Sequence, residues 1–205
     1  METLEAIRQA AKTITMEYMQ GDGRNVSAFK EDEYLTKLQN ALEPNYKFEK
    51  AKPRHWYDFN VDGICIDLKM TDMKSADNAW NQKRLIFTWG GKEPPNKDMN
   101  MNEMWDILKN TPRVTERNPL TELYYLAVDK KTGDVLLKSL VDIHTYVINA
   151  HPSNVIQINW EKEFENKSYV APSRSDKMVE LAKAVQESVR RTIESRKDFA
   201  TAEIV

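Results

Sequence analysis

This sequence predicts an α/β fold in a single domain, a sheet with helices packed around it, and three observations carry that prediction. Apolar residues recur at helical spacing near both ends of the chain. An Asp62-Gly63 pair between two β-rich runs marks a hairpin. The unbroken apolar run from Leu123 to Val128 has the character of a strand buried on both faces. At 205 residues the chain suits one core, since chains of about 150–200 residues hide roughly 70% of their unfolded surface.

Taken in order, residues 1–20 place Leu4, Ile7, Ala11, Ile14 and Tyr18 on one helical face, and Gly21-Asp22-Gly23 stops that helix. Ser27 begins a second helix reaching about Leu42, with Tyr34, Leu35, Leu38, Ala41 and Leu42 as its buried stripe and Glu31 aligned with them. Tyr46 to Ala51 is a candidate strand leading into Pro53. Ser75 is a suitable N-cap for a helix through about Phe87. Gly90-Gly91 and Pro94-Pro95 then enforce a loop. Met101 to Leu108 reads as a short helix inside a loop-rich arm or lid from about residue 90 to 119. Lys130-Lys131-Thr132-Gly133 turns the apolar strand into a partner from Asp134 to Leu140, and Asn154 to Trp160 alternates as a further strand. Ser173 or Ser175 caps a last helix with Met178, Leu181, Val185, Val189 and Ile193 inward.

The hairpin is the most informative segment. A two-residue turn at Asp62-Gly63 pairs Val61 with Ile64, Asn60 with Cys65, Phe59 with Ile66 and Asp58 with Asp67. One face then carries Tyr57, Phe59, Val61, Ile64, Ile66 and Leu68. The other carries Trp56, Asp58, Asn60, Cys65, Asp67 and Lys69. Opposed residues have Cβ atoms about 4.5–5.5 Å apart, so two carboxylates placed there repel. A hard divalent cation relieves that repulsion: magnesium takes one or two carboxylates and keeps waters for phosphate oxygens. Lys69 points at the same spot, where an ammonium can orient a water and balance phosphate charge. The same letters also arise on a solvated hairpin face.

An Asp, a turn, then Asp-x-Lys on the next strand resembles the PD-(D/E)xK nuclease core, with Asp58 as the first acid and Asp67-Leu68-Lys69 as the second motif. Tyr57 stands where that family prefers proline. The stretch Thr71-Asp72-Met73-Lys74-Ser75-Ala76-Asp77-Asn78-Ala79 is similar to a segment of one group of type II restriction endonucleases. The resemblance covers roughly residues 54–90. It implies a restriction-endonuclease-like core with a central mixed β-sheet flanked by helices. It also implies magnesium (Mg2+) held at Asp58, Asp67 and Leu68, catalysis by Asp58, Asp67 and Lys69, and 5′-phosphate products. Glu31 resembles the acid that many of these nucleases supply from their first core helix, with Glu33 as the alternative if the helix is rotated. An acid favoured by the helix dipole in a first turn is the simpler account of Glu31.

The expected partner is double-stranded DNA, cut by a homodimer, since two copies about a two-fold axis suit a symmetric site. A cognate DNA methyltransferase is expected as a functional partner. Lys74, Ser75, Asn78, Asn81 and Lys83, on or beside the helix after the hairpin, are expected at the DNA, with Gln157 and Asn159 next. Amides read adenine edges and lysines hold phosphates. A repair or junction nuclease, or a non-catalytic nucleic-acid-binding or protein-interaction module, is the alternative.

Net charge −2 and a pI near 6.0 argue against non-specific coating of nucleic acid but leave room for a local basic patch, such as the one formed by Lys47, Lys50, Lys52, Arg54, Lys69, Lys74, Lys83 and Arg84. The single cysteine, Cys65, has no disulfide partner, and the three histidines lack zinc spacing. No glycine-rich phosphate loop occurs. The five tryptophans are expected as core anchors. The first residues read as helix rather than as a cleavable leader, and no run of about 18 apolar residues occurs, which together predict a cytoplasmic protein without membrane contact.

Overall fold

The computed structural model describes residues 2–15, 24–53, 55–73, 76, 81–150 and 156–197, with backbone alone for 24–29. Five strands form one mixed sheet in the order β1 (Phe48–Lys50), β2 (Phe59–Val61), β3 (Ile64–Thr71), β4 (Tyr124–Asp129) and β5 (Val135–Ser139). Neighbours run antiparallel except β3 and β4, which are parallel. The expected α/β core with a central mixed sheet flanked by helices is therefore observed. Parallel neighbours need a crossover, and here it contains α3 (Gln82–Gly90) and α4 (Met101–Asn110).

Helices α1 (Glu2–Thr13) and α2 (Arg24–Leu42) cover one face of the sheet. Ile7, Ala11, Tyr34, Leu38 and Leu42 pack there against Phe59, Val61, Ile64, Ile66 and Leu68. The other face is covered by α3, α4 and α6 (Arg174–Glu194), with Leu85, Met104, Leu123, Tyr125, Trp160, Met178 and Leu181 as its core. A second sheet pairs β6 (Tyr146–Ile148) with β7 (Ile156–Ile158), and α5 (Trp160–Glu165) follows it. Among the described residues no helix is long and apolar enough to cross a membrane.

Several expectations are corrected. The hairpin face bearing Cys65 and Asp67 is buried like its opposite, because α3 lies over it. Tyr57 packs on that same side, since the chain leaves strand geometry before Phe59. The first helix ends at Thr13, and Tyr18 lies outside the described residues. The second starts at Arg24, before Ser27, and Ala41 is exposed. The helix after the hairpin begins at Gln82 with Asn81 as its cap, while Ser75 lies outside the described residues. The short helix expected at Met101 to Leu108 is α4, and it buries Met104 and Leu108 in the core. Ser173 caps α6, as one of the two serines expected, but Ile193 is 60% exposed because the helix outruns the sheet it packs on. Strand β6 and helix α5 were not anticipated; both are too short to show a period.

Candidate active site

The turn is built as its sequence dictates: Asp62 (φ 49°) and Gly63 (φ 89°) both take positive φ, the requirement of a two-residue hairpin turn. The Asp62 carboxylate also accepts from the Lys47 amide at 2.9 Å, tying β1 to the turn. Register follows as expected, with Phe59 opposite Ile66, Asn60 opposite Cys65 and Val61 opposite Ile64. The expected Asp58–Asp67 pair is not part of this register: the Asp58 amide donates to the Ile66 carbonyl at 2.9 Å, one residue short of Asp67, and Asp58 comes near Asp67 because its carboxylate turns to the Leu68 amide.

Four side chains meet there. An oxygen of Asp58, Oδ2, accepts from the Leu68 amide at 2.6 Å. Asp67 is fully buried, and its Oδ1 accepts from Nη2 of Arg84. The Lys69 ammonium stands 2.6 Å from Asp67 Oδ2 but out of hydrogen-bonding direction, so this buried oxygen accepts no hydrogen bond. Lys69 lies 3.4 Å from the Leu68 carbonyl instead. Arg84 is fixed by a second bond, Nε to the Trp56 carbonyl at 2.8 Å, and lies 5.8 Å from the centre of the Tyr125 ring.

The electrostatics single out Asp58. Burial, then the charge of Asp67, push its carboxyl up to about 7, against the opposing pull of Lys69, the Leu68 amide and Arg84. For Arg84, burial is the largest influence and works against the charged form, but Asp67, Tyr125 and Asp58 together outweigh it and hold the guanidinium above its usual range. Burial raises the Tyr125 hydroxyl. Asp67 has a cation on each oxygen, Arg84 on Oδ1 and Lys69 at 2.6 Å from Oδ2, whereas Asp58 is held by the Leu68 amide alone and resists ionising, so a further cation would act chiefly on Asp58. Magnesium fits this donor set: two carboxylates and the Leu68 carbonyl are hard oxygens. Among the described residues no three acids, histidines or cysteines gather, so the set rests on that backbone oxygen for a third protein ligand.

The remaining expected residues are more dispersed. Glu31 is half-buried early in α2, on the sheet face opposite Asp67. Its neighbour Asp32 reaches Lys50 at 3.0 Å, and Glu33 pairs with Lys37 at 2.7 Å. Asn81 is partly buried and spends its side-chain oxygen on the Arg84 amide at 3.0 Å, as a cap rather than an open helix face. Lys74, Ser75 and Asn78 lie outside the described residues. Gln157 sits opposite Val147 in the second sheet, and Asn159 caps α5 through the Lys162 amide. Lys83 lines a cleft of about 710 Å³ beside the hairpin with Lys50, Lys52, His55 and Tyr57, and Glu49 and Glu93 share that wall. Part of the expected basic patch is thus a real concavity. Lys47, by contrast, pairs outward with Glu49.

Sequence reasoning counted Arg84 only as one more base near the hairpin. The missed signal is an arginine leading directly into Leu85-Ile86-Phe87: a cation in an apolar helical run has to meet a buried acid. No protein-family model matches this chain, and comparison with curated proteins finds no match.

Proposed function

We propose that this protein is a magnesium-dependent endonuclease that hydrolyses phosphodiester bonds of double-stranded DNA, as a type II restriction enzyme acting in the cytoplasm as a homodimer. The observation that carries the reading is the juxtaposition of Asp58, Asp67 and the Lys69 ammonium at one point of the sheet. Asp58, Asp67 and the Leu68 carbonyl would hold the ion. Magnesium bound there supplies Lewis acidity toward a phosphate oxygen and an attacking water.

The chain's own residues do the rest. Arg84 holds one oxygen of Asp67, and the other faces the Lys69 ammonium at 2.6 Å. The Leu68 peptide links the two acids, its amide on Asp58 and its carbonyl toward Lys69. Lys69 stands where its ammonium can orient the water and offset charge that develops on the phosphate. Asp58 gives up a proton to become an anion, because its carboxyl is pushed up to about 7. The cleft with Lys50, Lys52 and Lys83 offers cations to the duplex on the hairpin side.

Plasmid digestion with magnesium, followed by sequencing of the fragment ends, tests the reading. Discrete fragments bearing 5′-phosphates are expected from the parent and none from Asp58→Asn. Equal digestion by both proteins overturns the assignment.

A further inference from the structure

The cleft beside the hairpin has an aromatic wall as well as lysines. His55, Trp56 and Tyr57 line it, and Tyr57 meets the other two edge to face, with ring centres 4.4 Å from His55 and 4.8 Å from Trp56. Trp56 is buried and backed by Phe87 at 4.5 Å, while His55 and Tyr57 are half-buried. Glu93 is held against this wall: its Oε1 accepts from Trp56 Nε1 at 2.9 Å and lies 3.6 Å from His55 Nε2, yet its side chain is 64% exposed and keeps acceptor capacity. Charge in the cleft is mixed. The Lys50 ammonium is turned to Asp32 and Thr36, each at 3.0 Å, and Glu49 is paired with Lys47. Lys52 and Lys83 enter no ion pair among the described residues.

Rings, two available ammonium groups and one exposed carboxylate in about 710 Å³ match a ligand that brings together a flat π-surface, a hydrogen-bond donor and an anion. An unpaired nucleotide does so. A paired duplex offers phosphates but keeps the faces of its bases stacked inside. The cleft also shares its construction with the carboxylate site. Trp56 and Tyr57 run directly into Asp58, whose Cα is about 3.8 Å from that of Tyr57. Nε of Arg84 bonds the Trp56 carbonyl at 2.8 Å while Nη2 bonds Asp67, and Lys83 precedes Arg84 on α3. Trp56 and Tyr57 pack on the side of the sheet that bears Asp67.

We propose that this cleft seats one unpaired nucleotide of the DNA held at the carboxylate site. Its base stacks against His55 and Tyr57, an exocyclic amine donates to Glu93, and Lys52 and Lys83 meet the flanking phosphates. The inference rests on the nuclease reading for its ligand and narrows it to DNA with a base out of the stack. Extruding a base from a perfect duplex costs pairing and stacking that an already unpaired base does not have, so the cleft favours the unpaired form.

The test is binding, in calcium, of two labelled duplexes that differ by one extra unpaired adenine, with free deoxyadenosine monophosphate as a third probe. The parent is expected to bind the bulged duplex about tenfold or more tighter than the paired one. His55→Ala and Tyr57→Ala should each lose most of that preference, and Tyr57→Phe should keep it, since stacking needs the ring and not the hydroxyl. Lys52→Ala/Lys83→Ala should weaken binding of both duplexes and lower the salt slope by about 2. His55 leaves its buried Nδ1 without a hydrogen bond, so truncating it strands no partner, and His55→Ala is the variant read if Tyr57→Ala loses its fold. Equal binding of the two duplexes by the parent, a preference that survives in the ring-less variants, an unchanged slope in the lysine variant, or free nucleotide bound as tightly as the bulged duplex overturns the proposal. If the preference is present and lost as expected but the parent cuts no DNA, the nuclease reading fails and the cleft stands. Cutting of paired DNA by a parent that shows no preference gives the reverse.

Discussion

Asp67 and Glu163 are both buried acids with a lysine ammonium 2.6 Å away, yet their surroundings are opposite in kind. Glu163 is saturated. It accepts from Lys138 at 2.6 Å, from the Thr145 amide and hydroxyl at 2.6 and 2.5 Å, and from the His144 amide at 2.9 Å. Burial would raise its carboxyl, but Lys138 and Thr145 hold it below the usual range. Asp67 instead leaves one oxygen without a hydrogen bond and faces a second acid that its charge helps to push up. A carboxylate with every lone pair taken fastens elements together, here β5, the segment before β6, and α5. On the function proposed above, the place for a further cation is the Asp58–Asp67 pair, where Asp58 is held by one amide and pushed up by burial and by its neighbour.

The largest effect that could break this contrast is on stability. Glu163→Gln strands the buried Lys138 ammonium and should cost about 3–5 kcal/mol in chemical denaturation, without altering cleavage per folded molecule. A variant as stable as the parent would show that Glu163 is no fastener. Next comes catalysis: Asp58→Asn and Lys69→Ala should each lower cleavage about a hundred- to thousandfold in magnesium, and Lys69→Ala should still bind duplex in calcium. Asp67→Asn is the less clean variant, because it leaves the buried Arg84 guanidinium unpaired and should lose stability as well as activity.

The pH dependence sharpens the contrast from the Asp58 side. Its folded pKa, about 7, lies above the ordinary carboxylate value of 3.8, so the folded form keeps a proton that the unfolded form releases. Stability from this group is therefore full below about pH 4, falls as pH rises toward 7, and levels off above it. The shift corresponds to up to about 4 kcal/mol. Urea denaturation in metal-free buffer should show Asp58→Asn gaining on the parent through that window. A constant difference would mean that Asp58 titrates normally. The smallest effect concerns Asn81: Asn81→Ala should cost about 1 kcal/mol by uncapping α3, and Asn81→Ser should restore it, with sequence preference on DNA unchanged in both. A shifted preference would return Asn81 to the DNA surface.

What was legible in the sequence is what local chemistry decides. Asp62-Gly63 specified the turn, and hence the register from Val61–Ile64 to Phe59–Ile66, but not the break at Asp58, whose amide bonds to Ile66 instead of pairing with Asp67. The run from Leu123 to Val128 specified a strand covered on both sides, and Ser173 specified a helix start. Alternation along the hairpin told which residues share a face but not what lies over it, so Asp67 read as an open polar residue although α3 buries it. Its bond to Arg84 joins segments that meet only through tertiary packing. Nothing in the local sequence marked Lys12 and Lys131 as neighbours either, because α1 and the β4–β5 turn are far apart in the chain.

The parallel pairing of β3 with β4 has a kinetic consequence. The β2–β3 hairpin closes over two turn residues and can form on the scale of microseconds, whereas β3–β4 must wait until residues 72–123 have been gathered into a crossover. The hairpin that carries both acids therefore exists as a scaffold before the helix carrying Arg84 arrives. Until that crossover forms Asp67 is exposed to water, and its burial waits on the slower, non-local pairing. Substitutions within the turn at Asp62-Gly63 should slow folding, whereas substitutions in α3 should chiefly hasten unfolding.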